Sequence, residues 1–392
     1  MYVETLLGVQ KTRLFQLVKE YRQDPEGFSI AYKRTNANNR INPTIHSHIL
    51  DELRKEHRMI ENPAIPLKTY NYSYLQSLIT EISGLKVSLS TIITIAKRNG
   101  FCLPKRQRRI HDREVSTHYI GELLQHDATF HLFAPDAEEK WYLITTIDDY
   151  SRLILYARLV KKETSWTHIL ALQDVMLTWG IPLQYYVDSH SIFRFVQGRD
   201  SVWRKHYLHT DDVDTQWKQV LNDLKVKVAY ALSPQAKGKI ERPYRWFQDR
   251  VVRTCAREGV TRMQDAQEVI EHEQKRYNYH QLHSTTGEIP IIRFERAQKE
   301  NQSLFRPFRI PSPLQSIKDV FSLRVKRTVD PYHHISINNL KLRVHTAPLR
   351  EEIELRIIPS ETTDSAEVRI WYKDKLTNVY QIKNSDLGGV HF

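Results

Sequence analysis

Residues 233–250 read SPQAKGKIERPYRWFQDR. One carboxylate, Glu241, stands between Lys237 and Lys239 on one side and Arg242 and Arg245 on the other. Just before the stretch, Val226, Val228, Tyr230 and Leu232 alternate as a strand does; within and after it, Ile240, Tyr244, Phe247, Val251 and Cys255 recur at helical spacing. The stretch is therefore a strand-to-helix junction with Glu241 in the first helical turn. Pro243 is tolerated there because its missing N–H would have no intrahelical partner. Two readings of Glu241 remain open at this point: a solvated charge favoured at the positive end of the helix dipole, or a carboxylate held at a site.

The chain has 392 residues, enough for two or three domains with separate cores. With 40% hydrophobic and 27% charged residues it has a globular composition, and no apolar run is long enough for a bilayer. The N-terminal residues are patterned as a helix and not as a secretory signal, so a cytoplasmic, nucleoid-associated protein is expected. Cys102 and Cys255 are far apart and lack zinc-site spacing, which makes them two ordinary buried thiols. The net charge of +12 suits a polyanionic partner. Residues 1–118 hold 19 Lys plus Arg against 11 Asp plus Glu, a net of +8, so most of the excess lies in the first third.

In that third, a helical pattern broken at Gly8 predicts a short helix, a turn and a second helix bearing Lys11 and Arg13. This is the helix-turn-helix pattern. After an Asn-rich linker, a helix over 44–59 closes at Asn62-Pro63. A second helix-turn-helix follows, with one helix ending at Ser83-Gly84 and another over 88–99 carrying Ser90, Lys97 and Arg98. Lys105, Arg106, Arg108 and Arg109 form a basic linker suited to phosphate contact. An ordinary helical bundle would show the same apolar spacing; the basic residues on the second helix of each pair favour DNA.

Downstream the pattern becomes β-β-β-α-β-α-β-α. Strands are predicted at 123–130, 142–147, 153–160, 185–187 and 226–232, with helices at 164–179 and 217–224 and the one opened by Glu241. Polar residues 190–213 show no clear periodicity, and 277–290 form a turn-rich segment. From about 305 to the end, five or six short strands suggest a small all-β barrel. The expected organisation is thus a multidomain chain. An all-α helix-turn-helix region (1–60) precedes a second helix-turn-helix with its basic linker (61–117), an α/β core with a mixed sheet (118–300) and the barrel (301–392).

Three acids fall at comparable places in the core: Asp127 within the first strand, Asp188 ending the fourth, and Glu241 opening the helix after the fifth. Strand ends and an adjoining helix start can converge in space. Three clustered carboxylates repel at low dielectric and are stable chiefly when cations occupy them. Oxygen-only ligation favours Mg²⁺, with Mn²⁺ able to substitute. Two such ions can activate an attacking oxygen and stabilise the leaving oxygen of a phosphodiester.

The segments GELLQHDATF, YYVDSHSIF, SPQAKGKIERPYRWFQ and YNYHQLHSTTGEIP together resemble the catalytic domain of DDE insertion-sequence transposases and retroviral-type integrases over residues 118–295. The resemblance implies an RNase H-like core in which Asp127, Asp188 and Glu241 ligate two Mg²⁺ ions. It also implies a substrate of double-stranded transposon-end and target DNA, and a homo-oligomer on paired ends. Lys237, Lys239 and Arg245 match positions that in such proteins often face DNA near the active site, and Arg242 among them is expected to bind DNA as well. Here 52 residues separate Asp188 from Glu241, more than the family sets, as though residues 190–213 were inserted. That leaves Asp200, Asp211, Asp212 and Asp214, and also Asp148 and Asp149, as rivals to Asp188; the rivals sit in polar turns, where Asp is expected for turn reasons. His126 points to the opposite strand face and is expected to be a core residue, as are Trp141, Trp166 and Trp246. A non-catalytic regulator and a structure-selective nuclease are the alternative functions.

Overall fold

The computed structural model describes residues 10–29, 41–84, 86–103, 116–137, 139–188, 190–193, 214–231, 241–338, 340–344, 346–360 and 363–387. Gly8, Lys105, Arg106, Arg108, Arg109, Asp200, His206, His209, Asp211, Asp212, Lys237 and Lys239 lie outside these residues, as does the side chain of Glu241.

Helix α1 (Lys11–Gln23) buries only Leu17. Helices α2 (Pro43–Glu61), α3 (Tyr72–Ser83) and α4 (Leu89–Arg98) share one small core, in which Ile49 and Leu53 meet Leu75, Ile79, Ile92, Ile95 and Ala96. The helix over 43–61, adjoining the N-terminal region in the sequence, is thus a structural member of the second helical pair. Gly84 ends α3 at φ +68°, a left-handed C-cap that costs glycine little. Ser88 then caps α4 by accepting from the Thr91 N–H at 3.2 Å.

The central sheet runs β3 (Ile154–Val160), β2 (Trp141–Asp148), β1 (Leu124–His131), β4 (Gln184–Val187), β5 (Lys227–Tyr230). The first three strands are antiparallel, whereas β4 is parallel to both β1 and β5, so the sheet is mixed. Helices α5 (Ser165–Thr178) and α6 (Gln216–Asp223) cover one face through Ile169, Leu172, Val175, Trp217 and Leu221. Helices α7 (Glu241–Glu258) and α8 (Met263–His280) cover the other through Phe247, Val251, Ala266 and Ile270. The edge of β3 is closed by α8: Gln267 accepts from the Leu159 N–H at 2.8 Å, and Asn278 accepts from the Ile154 N–H at 2.9 Å.

After α9 (Pro290–Lys299) the chain returns to the sheet, where Ile181 and Arg306 exchange backbone hydrogen bonds of 2.7 and 2.8 Å. Gly180 (φ +105°) permits this approach, since a Cβ there would lie 2.8 Å from the Arg306 carbonyl oxygen. Of the five or six C-terminal strands expected from the alternation six are present, but among the described residues they do not close into a barrel. Among the described residues, β6 (Leu323–Thr328), β9 (Glu352–Pro359), β10 (Ser365–Tyr372) and β11 (Lys375–Lys383) form an open antiparallel sheet. β7 (His334–Ile337) and β8 (Leu340–Arg343) pair only with each other, so β6 and β11 stay at opposite edges. Asp319 organises this unit from its buried position, accepting from Arg369 Nε at 2.6 Å and from Trp371 Nε1 at 3.2 Å. Cys255 is buried as expected; Cys102, just past α4, is exposed, because it leaves the helical core rather than entering it. No described helix is long and apolar enough to cross a membrane.

Candidate functional site

Strands β1 and β4 are aligned with Leu124 opposite Tyr185 and Gln125 opposite Tyr186. Carried along both strands, that register sets His126 beside Val187 and Asp127 beside Asp188. Neighbouring strands lie about 4.8 Å apart, and in-register residues of a parallel pair face the same way. The two aspartates thus share one level on the sheet face that α7 covers. On the other face Leu124, His126, Tyr185 and Val187 are buried.

Helix α7 is fixed over the same spot by polar contacts. Gln248 Nε2 donates to Thr129 Oγ1 at 3.0 Å, two residues along β1 from Asp127. One turn nearer the helix start, Tyr244 is buried, and burial pushes its phenol well above the usual tyrosine range; the charge of Asp127 adds to that push, and Asp188 contributes a smaller part. Tyr244 therefore senses both carboxylates, and α7 begins three residues earlier at Glu241. Among the described residues no three His, Cys, Asp or Glu side chains gather as a metal site. The donor set offered by Asp127 and Asp188, two carboxylates level on adjacent strands, consists of hard oxygens, which suits Mg²⁺ or Mn²⁺. Asp188 Oδ1 also accepts from the His190 N–H at 2.9 Å, which orients its carboxylate at the strand end.

The described rivals have structural work. Asp148 accepts from the Gly121 N–H at 2.9 Å and from the N–H and hydroxyl of Ser151 at 2.8 and 2.6 Å. Asp149 accepts from Gln125 Nε2 and Thr117 Oγ1 at 2.6 and 2.7 Å. Asp214 pairs with Lys218 at 2.6 Å beside the start of α6. Burial raises Asp148 to about 6, against the pull of its three donors. Its native pKa thus exceeds the ordinary carboxylate value of about 3.9, so the stabilisation its proton provides is full below pH ~4 and is lost as pH rises to ~6. The stability advantage of the wild type over Asp148→Asn, read from urea midpoints, is expected to be smaller at pH 7 than at pH 4.5.

His126 is buried as expected, and it heads a chain invisible in the sequence. Its Nδ1 lies 2.8 Å from Thr146 Oγ1 and its Nε2 2.8 Å from His168 Nδ1, while His168 Nε2 lies 3.1 Å from Glu163 Oε1. This backs β1 directly behind Asp127. Trp141 is in the core and Trp246 is half-buried.

Of the predicted DNA contacts, Ser90, Lys97 and Arg98 are exposed on α4, and Lys11 is exposed on α1. Arg13 is half-buried and faces Glu20 at 3.7 Å. Arg242 and Arg245 are exposed in the first turns of α7, and Arg242 donates to Ser284 and Thr285 in the turn-rich segment after α8.

No family model matches the chain. Over 201 residues it is 31% identical to a putative transposase, y4bF, of Sinorhizobium fredii, spanning 51% of this chain and 42% of that protein. Over 346 residues it is 23% identical to the transposase for insertion sequence IS1202 of Streptococcus pneumoniae, spanning 79% of this chain and 67% of that one. The first match thus takes in less than half of the relative's length. Among solved structures it is similar to the HTLV-2 integrase catalytic core domain in complex with magnesium. There the identity is 16% and the TM-score 0.32, over 44% of this chain and 95% of that one. It is also similar to a chain of the simian T-cell lymphotropic virus intasome in complex with PP2A regulatory subunit B56 gamma, at 15% identity and a TM-score of 0.32, over 77% and 95%. The two curated relatives are both transposases, and over the spans given the chain is similar to them.

Proposed function

We propose that the protein is a DDE-type transposase that cuts DNA at the ends of its element and joins the freed 3′-hydroxyls to target DNA. The level placement of Asp127 and Asp188 under the start of α7 carries this reading. Asp127, Asp188 and Glu241 would hold the divalent ions, which when bound supply an activated attacking oxygen and a stabilised leaving oxygen. The chain's own residues bind and orient. Arg242 and Arg245, exposed on the first turns of α7, together with Lys237 and Lys239, offset the repulsion between an acidic site and a polyanion. They position phosphates without reading sequence. Sequence reading falls to the helix-turn-helix elements of residues 1–117, with the exposed Ser90, Lys97 and Arg98 of α4 directed at the duplex. Paired ends call for a homo-oligomer.

The test uses a duplex recovered by the protein itself from a random-sequence pool. In Mg²⁺ or Mn²⁺ the full chain is expected to cut it and to join the new 3′ ends to a supercoiled plasmid. Specific binding without cutting in either metal would identify a regulator; cutting without joined products would identify a nuclease.

A further inference from the structure

The face of α7 away from the sheet presents Asp249, Arg253 and Arg257, a pattern that in sequence reads as a solvated helix surface. In the structure that face is covered by the N-terminal bundle. Arg253 is fully buried and pairs with the buried Glu56 of α2. It also donates to the Thr69 carbonyl and, at 3.0 Å, to Asp249 Oδ1. Arg257 pairs with Glu52 and, at 3.3 Å, with Glu56. Apolar cover is small: Met59 and Leu67, with Ile60 and Ile65, pack against Val252 and Ala256, and the Tyr74 ring lies beside Arg257 at 5.6 Å.

An apolar contact of this size would tolerate sliding, whereas guanidinium forks shared among fixed carboxylates admit one pose. Buried ion pairs add little net stability, and their best-attested use is to set register. The pose couples two places. α4 shares a core with α2, so its exposed Ser90, Lys97 and Arg98 are held relative to α7. Arg253 lies twelve residues along α7 from Glu241, about 18 Å at 1.5 Å per residue. Between the two units runs a groove of about 600 Å³, walled by Tyr72, Leu89 and Ile93 on one side and Arg242, Arg245 and Trp246 on the other.

We propose that the interlock of Glu52 and Glu56 with Arg253 and Arg257 is a measuring device. It fixes the distance between the duplex segment gripped by α2–α4 and the phosphodiester presented to Asp127 and Asp188. The cut position is then set by protein geometry and not by the bases at the cut. This rests on the transposase reading, and the arginines act as positioning residues.

The full chain carrying Glu52→Gln with Arg257→Gln, and a chain carrying only the charge-keeping Glu52→Asp, test it on the pool-selected duplex in Mn²⁺. The neutral pair is expected to bind that duplex within about threefold of wild type, to show faster hydrogen exchange at residues 249–257, and to spread the cut from one phosphodiester over several. Glu52→Asp, which keeps a carboxylate for Arg257, is expected to retain both exchange protection and a single cut. The proposal is overturned if the neutral pair loses exchange protection yet still cuts at one position, or if protection persists unchanged. A wild type that cuts no duplex would sink the transposase reading, and the exchange arm would still decide whether these ion pairs clasp the bundle.

Discussion

Asp127→Asn is expected to bind the pool-selected duplex at least as well as wild type and to lose metal-dependent cleavage by more than ~100-fold, beyond the cost of losing an outer-shell partner. The substitution keeps the size and one acceptor oxygen of the side chain and removes its charge. In a site whose task is to hold divalent cations against phosphate, that charge is the essential quantity. Asp188→Asn should behave alike, because an amide oxygen still accepts from the His190 N–H while the charge is gone. Binding is retained in each case because the arginines of α7 are untouched and one repulsive charge has been removed. The comparison variant is Asp214→Asn, which loses the charge facing Lys218 and keeps an oxygen for the Asn222 amide at the edge of α6, and should cleave as wild type does. Cleavage by Asp127→Asn within tenfold of wild type, or its loss in Asp214→Asn, would remove the pair of level aspartates from the mechanism.

The second large effect lies behind the sheet. Trp217 is fully buried; its ring stacks at 16° on His126 with centroids 6.0 Å apart, and meets Tyr185 and Phe193 edge-on at 5.7 and 4.9 Å. His126 and Tyr185 belong to the two strands that carry Asp127 and Asp188, so this cluster is the packing that holds those strands in register. Trp217→Ala should cost ~3–5 kcal/mol in urea unfolding, the usual loss for an emptied aromatic site, and should reduce cleavage even at temperatures where the chain stays folded. Trp217→Phe should cost less than half as much. A loss below ~1 kcal/mol for the alanine variant, ordinary for a surface change, would mean that the cluster does not support the site.

The order of strands and helices in the core was legible because each element carries a local signature. Apolar, β-branched runs mark β2 and β3, breakers at Gly180 and Pro182 end α5, and the shift of period at Glu241 starts α7. Asp127 and Asp188 were legible as residues within or ending a strand. Their common level was not, since it depends on β1 pairing with β4 across sixty residues of chain, which no local pattern encodes. The same distance hid the link from His126 to His168 and the partners of Arg253, whose spacing looks like a solvated face until α2 supplies Glu56. In the C-terminal unit the strands were readable and the closure was not: a barrel and an open sheet share the same alternation, and only the pairing of the edges separates them.

The ring contact between Phe193 and Trp217 bears on what keeps the two aspartates level. Phe193 follows closely on Asp188 and Trp217 stands in the first turn of α6, so their contact ties the chain leaving β4 to the helix that packs behind it. Slipping one of the two strands by one residue would turn its aspartate to the wrong face. The level of the carboxylates therefore rests on packing behind the sheet, and not on the interval of sequence between the acids.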